Sequence, residues 1–152
     1  MLKKSKQKPV WKPVQEKSPS LQWDTRQKYQ PSNDQEQPVW RFSLLDWDGP
    51  WGWHNVEANK WQEILQKLGH FETRTWTDIK SDGNNHTVWI KNSPNPETQK
   101  RLVELHLDDI HELFSLRLSG KERLWGILDR YILNILWWDP YHEVWPSTKK
   151  HT

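Results

Sequence analysis

Three apolar runs crowded together near the C-terminus constrain this chain more than any other feature. Leu113 to Leu118 alternates large and small or polar residues. Arg123 to Leu128 is apolar with Trp125 inside, and Tyr131 to Trp138 is the most hydrophobic run in the chain. Only Ser119-Gly120-Lys121 and Asp129-Arg130 separate them, and Asp139-Pro140 stops the last. Short β-prone runs joined by two or three turn residues form hairpins, because a connection that short can only reverse the chain. The pattern predicts a three-stranded antiparallel meander.

Helical patterning lies upstream. Trp61, Ile64, Leu65 and Leu68 recur at i, i+3, i+4 and i+7, one face of a helix. With Asn55 as a cap and Gly69 as a terminator, they predict a helix over 56–68. Asn95-Pro96-Glu97 is a second start, with a capping side chain, proline at the first turn and an acid near the positive end of the dipole. That helix is expected over 96–106. A first strand is expected within Trp40–Leu45, a short helical turn within Thr73–Lys80 and a short strand at Thr87–Ile90. Helices before a terminal sheet indicate an α+β domain, with two main helices packed on one face of an antiparallel sheet.

Residues 1–38 read as a separate arm rich in Lys, Gln and Pro, too poor in apolar side chains to offset the entropy of ordering. Val10-Trp11 and Leu21-Gln22-Trp23 are its apolar islands. The domain is expected over 39–148, with a tail at 149–152. Residues 1–36 hold seven lysines and one arginine against four acids, whereas residues 37–152 hold fourteen basic and sixteen acidic residues. The basic character therefore belongs to the arm. No run is long and apolar enough for a membrane span, and no apolar stretch follows the basic N-terminus as in a secretory signal. There is no cysteine, which excludes disulfides and thiolate chemistry and fits a cytoplasmic location. Thirteen tryptophans supply a large apolar payload for a core.

The stretch Leu113-Phe-Ser-Leu-Arg117-Leu-Ser-Gly-Lys121-Glu-Arg123-Leu-Trp-Gly126, followed by Leu136-Trp-Trp-Asp139-Pro-Tyr-His142-Glu-Val144, resembles the C-terminal signature of a family of small bacterial proteins without an established function. The likeness spans roughly 40–147. In architecture the chain is similar to the RelE/ParE-like toxins, which also place helices before an antiparallel sheet bearing basic residues. That resemblance implies a toxin or toxin-derived module acting on RNA, a metal-independent ribonuclease, with RNA and an antitoxin or other protein as partners and no cofactor. On it, Arg117 and Arg123 would hold a scissile phosphate, Lys121 would assist, and His142 would move a proton.

Other constellations point elsewhere. Trp47, Trp51 and Trp53 alternate around Gly52, a spacing that puts three rings on one face of an extended chain, as does a stacking or docking surface. Trp138 or its neighbour Trp137 could support a base, with only one facing a cleft. Arg101 and His106 match the R-x4-H spacing of HEPN ribonucleases, although on a helix the two point well apart. His106, Asp108, Asp109, His111 and Glu112 are a dense set of metal-ligand types without a known ligand spacing. No phosphate-binding glycine loop or nucleophile elbow is present. The alternative to an enzyme is a tryptophan-rich protein-binding module of an operon-paired system, such as an antitoxin or phage-defence pair, which the slightly acidic domain favours.

Overall fold

The computed structural model describes residues 34–146. Most of the expected arm and the whole expected tail lie outside them. Eight elements follow in order: β1 (Val39–Arg41), α1 (Ala58–Phe71), α2 (Trp76–Ser81), β2 (His86–Trp89), α3 (Pro96–Glu104), β3 (Glu112–Ser119), β4 (Glu122–Asp129) and β5 (Ile132–Asp139). The sheet order is β1-β5-β4-β3-β2. The α+β class and the C-terminal meander are as the patterning predicts. Ser119 pairs with Glu122 and Asp129 with Ile132, so each hairpin turns on two residues.

The sheet is mixed rather than wholly antiparallel, because β1 joins β5 in parallel with Val39 opposite Ile132. A parallel pair needs a long crossover, and residues 42–131 supply it. Order also begins earlier than Val39. Thr77 N–H donates to Asp34 O at 2.8 Å, Trp76 N–H to Glu36 O at 3.0 Å, and Lys80 pairs with Asp34 at 2.9 Å. The first turn of α2, which has no intrahelical acceptors, thus binds residues 34–36.

Helix α1 runs three residues past its expected end. Gly69 lies inside it, and Leu65 is half exposed at 50 %. The inward stripe is therefore Trp61, Ile64, Leu68 and Phe71. Its N-cap is Glu57, and Asn55 belongs to a preceding 3₁₀ turn, Trp53–Asn55. Helix α3 begins as expected, with Asn95 accepting from Glu97 N–H at 3.0 Å and Pro96 opening the first turn.

Both faces of the sheet are covered. On one, Phe114, Leu116, Leu124, Leu133, Ile135 and Trp138 pack with Ile64 and Leu68 of α1 and Trp76 and Ile79 of α2. Residues that alternate with these face the other way: Leu113, Ser115, Trp125, Ile127, Asn134 and Trp137. That second face is closed by α3, by the loop 46–53 and by the segment after β5, so the helices do not share one face as expected. Burial from both sides explains why β5 reads as a continuous apolar run; all eight of its residues are buried.

One buried carboxylate ties the second layer together. Asp46 accepts from Arg101 Nε at 2.8 Å and from Arg101 Nη2 at 2.7 Å. It also accepts from Trp137 Nε1 at 2.9 Å and from Gly49 N–H at 3.1 Å. Burial pushes the Asp46 carboxyl up, but the hydrogen bonds from Arg101 and Trp137 outweigh it and hold the group below its usual range. Gly49 must lack a side chain, because a Cβ there would overlap Asp46 Oδ2 and Arg101 Nε. Asp46→Ala is expected to destabilise the domain by about 2–3 kcal/mol or more, since it leaves Arg101 with only the exposed Glu104 and strips the buried Trp137 N–H of its acceptor. Urea unfolding followed by tryptophan fluorescence measures this. The sign with pH follows from the depressed value: the contribution of Asp46 is complete above about pH 4 and is lost as the pH falls through its folded-state value. The gap between wild type and Asp46→Ala should therefore narrow in acid.

Candidate functional site

The outer end of the second sheet face carries the polar side chains that the first does not. Arg117 on β3 stands directly opposite Arg123 on β4, and Arg123 stands opposite Asp139 on β5. The hairpin turn binds both guanidinium groups. Arg117 Nε donates to Gly120 O at 3.2 Å and Arg123 Nη1 to the same oxygen at 2.7 Å. Sharing one acceptor holds the two cations side by side.

Among the described residues neither arginine has a carboxylate within ion-pair distance. Glu122 lies next to Arg123 in sequence but points to the opposite face, where Lys60 holds it at 2.7 Å. Asp139 is on the right face yet is fully occupied. Its carboxylate accepts from Trp125 Nε1 at 3.0 Å, Glu143 N–H at 2.8 Å and Val144 N–H at 3.0 Å. Burial and then the charge of Arg117 push the Arg123 guanidinium down from its usual value, against the pull of Asp139. Like charges opposed across a ladder cost stability, and a shared anion removes that cost.

Asp139 also places His142. By gathering the N–H groups of Glu143 and Val144 it folds the chain back immediately after β5. Val144 O in turn accepts from Thr98 Oγ1 at 2.9 Å, and Glu143 O from Asn95 Nδ2 at 2.8 Å. His142 sits at φ 58°, in the left-handed region that histidine enters only when its surroundings hold it there. Burial and then the charge of Arg123 lower the imidazole from its ordinary value, His86 adds to this, and Asp139 opposes it. The balance favours the neutral ring, the form that accepts a proton.

The structure thus brings Arg117, Arg123 and His142 onto one face. Lys121 is exposed at the hairpin tip, outside the register that aligns the two arginines. The proposed ring platforms fare differently. Trp51 and Trp53 are buried, the first against Trp137 with ring centroids 4.9 Å apart, the second between Trp61 and Trp138. Trp138 is in the core beneath α1, on the face away from the arginines. These three present no ring face to a ligand, because the loop turns inward to bury them. Trp47 alone of the four is exposed, at 53 %. Trp137 is buried with its indole N–H on Asp46. Arg101 is held by Asp46 and Glu104 rather than by anything near His106. The His106–Glu112 set does not converge: among the described residues no group of three or more His, Asp or Glu side chains is placed to hold a metal.

His86 is the residue the sequence patterning missed. It opens β2 opposite Ser115, two positions along β3 from Arg117 on the same face. Val88 is its buried neighbour on that face, and the alternation Val88–His86 was the available signal.

Compared with protein-family models, curated proteins and solved structures, the chain matches none of them.

Two consequences are measurable by thermal unfolding. Arg117→Gln removes the repulsion and should stabilise the domain by about 0.2–1 kcal/mol. Inorganic phosphate should raise the wild-type melting temperature, and should lose that effect in Arg117→Gln/Arg123→Gln.

Proposed function

We propose that this chain acts on RNA as a ribonuclease of the RelE-like kind, with Arg117 and Arg123 holding the scissile phosphate and His142 moving a proton. The observation that carries this reading is the pair of opposed guanidinium groups without a carboxylate. Arginine presents planar, paired donors that match phosphate oxygens, and here Arg117 meets the turn through its Nε. Stabilising charge from arginine and proton transfer through imidazole are sufficient for phosphodiester cleavage without a bound metal ion, so activity is expected to survive a chelator. Lys121, at the tip of the same hairpin, adds attraction for the flanking backbone. The basic residues before position 37 would do the same, and that part of the affinity should fall steeply with salt.

A protein partner fits a different surface. Val39, Phe42 and Leu65, three of the exposed large apolar residues, line a groove of about 410 Å³ between β1 and α1. An antitoxin-like or other protein bound there would leave the arginines open. This supports the protein-binding reading as a second property of the domain rather than as its replacement.

Induced expression of the full chain in a bacterial host is expected to arrest growth and fragment RNA. Arg123→Ala and His142→Asn should each restore growth, asparagine being chosen because it tolerates the left-handed backbone at that position. Growth unaffected by the wild-type chain, with RNA intact, would leave the docking groove as the better guide to function.

A further inference from the structure

The sheet carries a second imidazole on the face that holds the arginines. His86 is exposed on the edge strand β2, and its register partner Ser115 is two residues from Arg117 on β3. In an antiparallel pair, a diagonal neighbour two positions away has its Cβ about 7–8 Å distant or somewhat less, within reach of two long side chains. From His86 the face runs to Arg117, then to Arg123 directly opposite, then toward Asp139 and the turn bearing His142. A phosphate held between the arginines would thus have His86 of β2 on one side and His142, after β5, on the other, two residues far apart in sequence.

We propose that His86 and His142 form an acid–base pair that cleaves RNA by internal attack of the ribose 2′-oxygen. This rests on reading the arginine face as a ribonuclease site, and it names the residue and the bond changes which that reading leaves open. His142, neutral, takes the proton from the 2′-hydroxyl while the 2′-oxygen forms a bond to phosphorus. The bond from phosphorus to the 5′-oxygen breaks, and His86, protonated, gives its proton to that oxygen. The products are a 2′,3′-cyclic phosphate end and a 5′-hydroxyl end. No oxidant, reductant or second substrate is needed, and one proton has crossed from one imidazole to the other. Arg117 and Arg123 bind the non-bridging oxygens, where charge develops. DNA lacks the attacking group and binds without being cut.

The test uses the full chain with a 5′-labelled RNA oligonucleotide and its DNA counterpart, binding being read by fluorescence anisotropy and cleavage by gel. Wild type should cut only the RNA and leave a cyclic phosphate. His86→Gln should bind RNA as wild type does, because the arginines are untouched, yet cut it about a hundredfold or more slowly. The pH–rate profile adds a readout that a structural role would not move. Wild type should fall at both ends, and His86→Gln should lose the alkaline fall while keeping the acid one. The other charged or titratable groups on this face, Arg117, Arg123 and Asp139, are unchanged in that variant. Imidazole in the buffer should partly restore His86→Ala. His86 is exposed at the sheet edge, and circular dichroism of both variants should match wild type. Cleavage by His86→Gln within threefold of wild type, or an unaltered alkaline limb, overturns the pair while leaving the ribonuclease reading in place. A wild-type chain that neither binds nor cuts RNA overturns both.

Discussion

Two buried aspartates on one sheet face organise everything built on that face. Each takes an indole N–H from a sheet strand: Asp46 from Trp137 on β5, and Asp139 from Trp125 on the neighbouring β4. A carboxylate removed from water is costly unless its lone pairs are filled, and both are filled by donors from separate parts of the chain. Asp46 recruits α3 through Arg101 and shapes its own loop through Gly49. Asp139 recruits the residues after β5, and these reach α3 through Thr98 and Asn95. Helix α3 is thus clamped from two sides by polar contacts that have few alternative geometries.

Tryptophan is the residue this arrangement needs. Its ring buries enough surface to fill the layer, and its single N–H serves as a directed donor. On the other sheet face, Trp76 Nε1 finds Tyr131 O at 2.8 Å. Trp53 Nε1 finds Leu136 O at 3.0 Å. That carbonyl belongs to a bulge. Trp137 pairs with Trp125 and Ile135 with Gly126, so Leu136 is the extra residue. Its oxygen also accepts Asp46 N–H at 3.0 Å. Gly126 faces the irregularity, and a Cβ there would strike Asn134 O. The bulge therefore anchors the Asp46 loop, and the glycine permits the bulge.

The recognisable run Arg123-Leu-Trp-Gly with Leu136-Trp-Trp-Asp139-Pro-Tyr-His142 accordingly divides in two. Trp125, Gly126, Trp137 and Asp139 build the scaffold; Arg123 and His142 stand on its surface. Sequence patterning found the hairpins, the start of α3 and the two arginines flanking one turn, because turn chemistry, capping and strand alternation are local signals. It put Trp51 and Trp53 on a surface because the spacing in a loop does not reveal which way the loop folds. It ended α1 at Gly69 because a glycine is a good terminator, whereas the contact that keeps the helix going, Phe71 against the core, is tertiary. Asp46–Arg101 was invisible, and His86 was signalled only by its alternation with Val88, for a related reason: their partners lie far away in sequence, and only the fold brings them together.

The same register explains why the arginine face is left unbalanced while the rest of the domain is not. Asp46 and Asp139 are both committed to donors that hold the fold, and Glu122 is turned to Lys60 and Lys67 on the far side. The acids that the register and the sequence bring beside Arg123 are thus committed elsewhere: Asp139 is buried in structural contacts and Glu122 is on the other face. Lysines on α1 pair with Glu122 on the helix side of the hairpin, whereas on the arginine side, among the described residues, no carboxylate lies within ion-pair distance. Because the hairpin carbonyl of Gly120 holds Arg123 and the Asp139 turn holds the backbone around His142, an anion bound there, as proposed, would meet groups that are already placed, at little ordering cost.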